Sequence, residues 1–345
     1  MTKKYKYAIE INEFTDSQDC KKYYYSFGKT ENICIALTEN SIRVSCEMTV
    51  KYDPQRFQSC EIPLFSDAIK KTLLVYLITF SKDIKSNAHQ NPPQVSFFIN
   101  DEHQATTSLP VYSLIPDTLT PKMSAAWGSE KVIENILTYT PSKYDSKIAS
   151  LFALICAKSK DKENERFMYL WMSINGMYNY ISELIERPGK SKKREYEKII
   201  TMLKLYGMGE KNLRIDDRPS IANQIISAIN DSWDDKVISA ESLSDSGSHR
   251  VIGNAIFSSL SSIDSQDKIT PYGYLLLELP YYFRCTYFHA DKPVLLYAFE
   301  HELKCLRALN MIMESFLDRE LYKYFSGEYN ETYISNKLSK ELSHV

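Results

Sequence analysis

Apolar and mostly polar residues alternate near the start of the chain. Tyr5, Tyr7, Ile9 and Ile11 form one such series, Ile33, Ile35 and Leu37 a second, and Ile42, Val44, Cys46, Met48 and Val50 a third. A period of two turns one face of each segment toward a core and the other toward water, which predicts strands. Thr38 to Ser41, between the second and third series, is polar enough to turn a hairpin, although it lacks an Asn-Gly pair. Pro63 and Ser66-Asp67 then open a helical segment carrying Leu73, Leu74, Leu77, Ile78 and Phe80. Beyond Pro92-Pro93 an extended run returns at Val95 to Ile99. Residues 1–120 therefore read as an α+β domain.

After Thr120-Pro121 the apolar period becomes that of a helix. Residues 121–142 read as a linker and connecting helix. Thr140-Pro141 supplies an N-cap and first-turn pair for a helix with Ile148, Leu151, Phe152 and Ile155. The next helix has the clearest stripe in the chain, with Phe167, Leu170, Trp171, Ile174, Tyr178, Ile181, Leu184 and Ile185 on one face. Such a stripe needs a bundle to cover it. Further helices are expected at 194–206, 220–233, 250–260, 271–289 and from Pro293 to about Tyr324, with Pro280 bending the penultimate one. Arg187 to Arg194 and the Ser/Asp-rich Ser239 to Ser248 read as exposed loops. The expected architecture is thus an α+β N-terminal domain followed, over 143–325, by an all-α bundle with an insertion at about 187–265 and a polar tail at 326–345.

Length agrees with that division, because 345 residues suffice for two domains that each bury a core. Forty-two Lys and Arg against 44 Asp and Glu leave a net charge of -2, which excludes a global basic field for holding a polyanion. A nucleic-acid site must then be a local patch. The seven cysteines form no Cys-x-x-Cys pair and read as small buried hydrophobes of a reducing compartment. The N-terminus lacks the apolar core and cleavage site of a secretory signal, and the most apolar stretch, Thr72 to Phe80, is about half a bilayer span. A cytoplasmic protein is expected.

The sharpest candidate chemistry is Arg284-Cys-Thr-Tyr-Phe-His289, which follows an apolar helix and is ended by Pro293. A guanidinium presents fixed donors that hold a phosphate and stabilise the extra charge of a pentacoordinate transition state. An imidazole titrates near neutrality, so it can move the proton of a ribose 2′-hydroxyl or of the leaving oxygen. Together they suit a ribonuclease that needs no metal. Five residues advance about 140° around an α-helix, so the two side chains diverge on one unbroken helix. Either the helix loosens before Asp291 or a second copy completes the site; a two-fold dimer would bring two motifs face to face, and a homodimer is expected. The bland alternative is an Arg capping a helix end and a packed core His.

These residues resemble the HEPN superfamily, whose helical bundles carry an Arg, usually a polar residue, three more residues and a His near the start of the last helices. Phe167-Met-Tyr-Leu-Trp171-Met-Ser-Ile-Asn175-Gly-Met-Tyr178 is similar to its upstream long helix, with an aromatic and an Asn. The resemblance covers about 143–325 and looks closest to the Apea-like HEPN domains of bacterial anti-phage and abortive-infection proteins and toxins. It implies metal-independent endonucleolytic cleavage of RNA through the 2′-hydroxyl, a dimer, no cofactor, and Arg284 and His289 as the catalytic pair. It also implies an N-terminal domain that senses a phage-derived trigger or answers to a regulatory protein. Two departures stand out. Cys285 occupies the position after the Arg that is often Asn, and the insertion lengthens the bundle. Asp291 stands where some HEPN toxins carry a modified Tyr.

Auxiliary RNA-binding candidates are Asn175, Thr286 and the basic cluster Lys190, Lys192, Lys193 and Arg194. A solvated loop is the ordinary explanation of that cluster, and a satisfied core amide that of Asn175. Glu300-His301-Glu302 diverge by about 100° per residue on a helix and cannot converge on one ion. No phosphate-cradling glycine loop, zinc-protease or serine-hydrolase motif is present. The competing class is a non-catalytic HEPN-like module that dimerises or binds RNA or protein; a metal-dependent nuclease is a third.

Overall fold

The computed structural model describes residues 3–12, 21–27, 30–37, 41–58, 62–80, 94–108, 123–139, 147–185, 280, 284 and 300–329. The chain divides into two compact units, one comprising Met1–Ser142 with Tyr322–Glu328 and the other Lys143–Leu321 with Tyr329–Val345.

The first unit is built on a six-stranded antiparallel sheet of order β2-β3-β4-β1-β5-β6. Its strands are β1 (Tyr5–Asn12), β2 (Lys21–Phe27), β3 (Thr30–Leu37), β4 (Ser41–Met48), β5 (Gln94–Ile99) and β6 (Glu102–Ser108). Most of the alternating residues read from the sequence share one buried face, namely Tyr7, Ile9, Ile11, Ile33, Ile35, Leu37, Ile42, Val44 and Cys46, whereas Tyr5 and Met48 are part-buried and Val50, beyond the end of β4, is 52% exposed. One-residue slippage would expose this whole set, so the pattern fixes the register. Helix α2 (Pro63–Phe80) lies against β4 and against α3 (Glu130–Thr138), while α3 reaches β2. Phe57, from the short α1 (Pro54–Gln58), stacks edge-on against Tyr7, Phe65 and Phe97 with ring centroids 4.7–5.3 Å apart. The Tyr7 hydroxyl is buried but not orphaned. It accepts from the Tyr52 N–H at 2.8 Å and donates to the Val50 carbonyl at 3.2 Å.

Strands β2 and β6 were not among the expected segments. Strand β6, Glu-His-Gln-Ala-Thr-Thr-Ser, carries almost no apolar signal because it is an edge strand with mostly exposed side chains. Its pairing is set instead by the two-residue turn Asn100-Asp101, both at positive φ (53° and 62°), the conformation a tight hairpin requires. Asn100 Oδ1 also accepts from the Lys6 N–H at 3.0 Å.

Segment 121–142, expected as a linker and connecting helix, belongs to the first compact unit. Its 3₁₀ turn (Ala125–Gly128) buries Trp127, and α3 buries Val132, Ile133, Ile136 and Leu137. Lys71 of α2, only 2% exposed, donates to the Leu137 carbonyl at 3.0 Å and pairs with Asp67 at 2.9 Å. It thereby fills one of the acceptors that the end of a helix leaves open. The end of the last helix joins the same unit: Trp127 packs on Tyr322 and Phe325, and Asn135 donates to the Phe325 carbonyl at 2.7 Å. That helix stops in a Schellman geometry, with Glu328 N–H on the Lys323 carbonyl, Gly327 N–H on Tyr324, and Gly327 at φ 81°. The start of the expected polar tail is thus fastened as far as Tyr329, whose hydroxyl donates to Glu320 at 2.7 Å.

The second unit's described helices are α4 (Lys147–Lys158), α5 (Glu163–Ile185) and most of the last helix, here α6 (Glu300–Phe325). Helices α4 and α5 form a hairpin with buried Leu151, Ile155, Phe167, Leu170, Trp171, Ile174 and Tyr178. Ser173 ties it by donating to the Ser150 carbonyl at 2.8 Å. The Thr140-Pro141 start and the helices expected at 194–206, 220–233 and 250–260 lie outside the described residues. Among the described residues no helix is long and apolar enough to cross a membrane.

Candidate functional site

Of the residues singled out by chemistry, the structure describes Arg284 and Asn175, both in the second unit. Arg284 is helical and part-buried, and Pro280, one turn earlier, is helical and buried. His289, Thr286, Lys190, Lys192, Lys193 and Arg194 lie outside the described residues, as do Cys285 and the stretch 187–265.

Asn175 sits at the margin of the α5 core stripe. The stripe of Trp171, Ile174 and Tyr178 is buried, whereas Met168, Met172 and Asn179 are exposed, and helical spacing puts Asn175 on that outer side. Its side chain is part-buried, and its Oδ1 is shielded from solvent without a hydrogen-bond partner among the described residues. A shielded carbonyl oxygen that folding leaves without a partner costs about 1–3 kcal/mol. Trp171 and Tyr178, by contrast, are core residues at 1% and 4% exposure.

The sequence reading singled out none of the charges that hold α5 to α6. Glu163, at the start of α5, accepts from Arg307 Nε at 3.1 Å and from Asn310 Nδ2 at 2.9 Å. Arg166 donates to Glu314 through Nε at 3.0 Å and through a second guanidinium nitrogen, and Lys158 pairs with Asp318 at 3.1 Å and with Glu314 at 3.7 Å. The Lys158 side chain is 8% exposed, so this is an interior polar spine rather than a surface decoration. Only the opposite signs one turn apart on α5, Glu163 and Arg166, hint at it in the sequence. The order of contacts fixes the tip of the α4–α5 hairpin along the middle of α6.

Thiol chemistry is suppressed at two of the described cysteines. Burial pushes the Cys46 and Cys156 thiols up to about 12, and neither is an activated nucleophile. Among the described residues no group of three His, Cys, Asp or Glu side chains converges as a metal ion would require. Compared with known proteins, the chain matches no family model, no curated protein and no solved structure.

Proposed function

We propose that the protein is a metal-independent endoribonuclease of HEPN-like architecture, in which Arg284 holds the scissile phosphate and His289 moves the proton of the 2′-hydroxyl. The observation that carries the proposal is the Arg284 to His289 spacing, with its guanidinium on a part-buried helical turn rather than on a free surface. Asn175 adds support, since its shielded oxygen is an acceptor suited to a ribose hydroxyl. In this mechanism an imidazole takes the 2′-hydroxyl proton, the 2′-oxygen attacks phosphorus, and the P–O5′ bond breaks as the departing O5′ takes a proton from an imidazolium. The products are a 2′,3′-cyclic phosphate and a 5′-hydroxyl. The divergence of the two side chains on one helix favours a homodimer, and a cellular role in anti-phage defence or as a toxin follows from the family resemblance alone.

The test uses the full chain with Arg284→Ala and His289→Ala made separately. Wild type is expected to cleave RNA in EDTA while both variants, still folded and dimeric, lose activity by about a hundredfold or more. Equal behaviour of all three proteins would leave the alternative, a non-catalytic dimerisation or binding module.

A further inference from the structure

The sheet of the first unit has a second face, opposite α2. Register places Tyr24, Cys34, Ser45, Ala8, Phe98 and His103 side by side across all six strands on that face. A cavity of about 850 Å³ opens there, lined among others by Lys4, Lys6, Arg43, Ser45, Glu47 and Asp101. Its volume lies in the range of ligand sites. At one side of it Arg43 stacks over the Phe98 ring, 5.6 Å from the centroid. On the edge strand β2, Tyr24 stands 64% exposed.

The charges around the cavity are loosely engaged. Lys4 meets Glu47 at 3.5 Å and Lys6 meets Asp101 at 3.9 Å, with side chains 51–68% exposed. Arg43 meets Glu10 at 3.3 Å and Asp101 at 3.9 Å. Such exposed pairs contribute little and are readily exchanged for a bound anion. With Lys22 on the row beside Tyr24, four cations face three carboxylates, so the face carries a small positive excess in a chain that is net negative.

We propose that this open sheet face binds a single strand of nucleic acid, its phosphates on Lys4, Lys6 and Arg43 and its bases on Phe98 and Tyr24. Cations beside an exposed Tyr24 and a part-buried Phe98, whose ring an entering base reaches by displacing the Arg43 guanidinium toward a phosphate, are what sequence-tolerant strand binding needs. The two rings are four strand spacings apart, about 19 Å, so one nucleotide cannot reach both and a strand can. This binding is independent of the ribonuclease proposal.

The probe is a fluorescently labelled deoxythymidylate octamer, which lacks the 2′-hydroxyl and cannot be cut through it, titrated into the full chain at about 50 mM salt. Saturable binding is expected, with a log–log salt slope of about −2 for three phosphate contacts. Tyr24→Ala is expected to weaken binding about fivefold or more, and Lys6→Gln to flatten the slope by about 0.7. Both positions are exposed, so folding is not at stake, and thermal melts verify it. Lys70→Gln, which removes an exposed cation on α2 at the other side of the sheet, is expected to bind like wild type, which separates this face from a general response to lost charge. Absence of binding, binding unchanged by both sheet substitutions, or equal binding of a poly-glutamate of the same length or of thymidine monophosphate would each overturn the proposal.

Discussion

Replacing Lys71 by Met removes one charge from a site that water barely enters. The Nζ is buried with a side-chain exposure of 2% and serves two partners, the Leu137 carbonyl at 3.0 Å and the Asp67 carboxylate at 2.9 Å. Methionine keeps most of the volume, so the loss is electrostatic rather than a cavity. Breaking a fully buried pair costs about 3–5 kcal/mol; the Asp67 side chain is 21% exposed but its Oδ2, which faces Nζ, is shielded, so water recovers only what reaches the rest of the carboxylate. Shedding the desolvation of the ammonium recovers a little more. The expected destabilisation of the first unit is about 2–3 kcal/mol. In a Trp171→Phe, Trp233→Phe background, buried Trp127 reports this unit alone. Urea unfolding followed by its fluorescence should show the midpoint falling by about 1–2 M with an unchanged slope. Adding Asp67→Asn should restore part of the loss, a coupling of about 1 kcal/mol or more. A midpoint shift under about 0.3 M, or strictly additive single effects, would refute the claim that this ammonium bolts α3 to α2.

Other outcomes follow from the same structure. Glu314→Ala removes both donors' acceptor at Arg166 and one partner of Lys158, and should cost the second unit about 2 kcal/mol in urea unfolding read by Trp171. Cys46 and Cys156, pushed up to about 12 when folded, ionise more easily unfolded, so the stability their neutral form supplies is complete below about pH 9 and is lost as pH rises toward 12. Each should account for about 1.4 kcal/mol between pH 8 and pH 10, and Cys→Ala at either position should flatten that fall in denaturant titrations. Asn175→Ala separates role from structure. Removing a polar group whose oxygen has no partner among the described residues should leave melting temperature unchanged or raised, while lowering kcat for RNA by about tenfold; a lower melting temperature with unchanged kcat would assign the side chain to packing.

Where local pattern and tertiary environment agree, the chain could be read directly. Ile33, Ile35 and Leu37, or Phe167, Trp171 and Ile174, carry a period that admits one element, and all are buried as that period requires. Strand β2 escaped because Tyr23-Tyr24-Tyr25 does not alternate, although its neighbours separate Tyr24 outward from Tyr23, which lies near Glu130 of α3. Strand β6 escaped because an edge strand is polar on both sides. The end of the last helix, expected at about Tyr324, falls at Phe325, and the glycine that stops it, Gly327, went unused in the sequence reading. The bolt between Lys71 and Leu137 was not, since it joins residues 66 apart that only the packed fold brings together. The candidate site divides the same way. Residue types and spacing name Arg284 and His289 as a candidate pair, of which the described residues include Arg284.

The chemistry proposed for Arg284 and His289 is tested most directly by the fate of one scissile linkage. A fluorescent RNA and the same oligomer with 2′-deoxyribose throughout are incubated with the full chain in EDTA, and the ends are identified by mass spectrometry. The ribo-oligomer should be cut to fragments bearing a 2′,3′-cyclic phosphate and a 5′-hydroxyl, while the deoxy-oligomer stays intact. Cleavage of the deoxy-oligomer, 5′-phosphate ends, or intact RNA until a divalent ion is restored would contradict it.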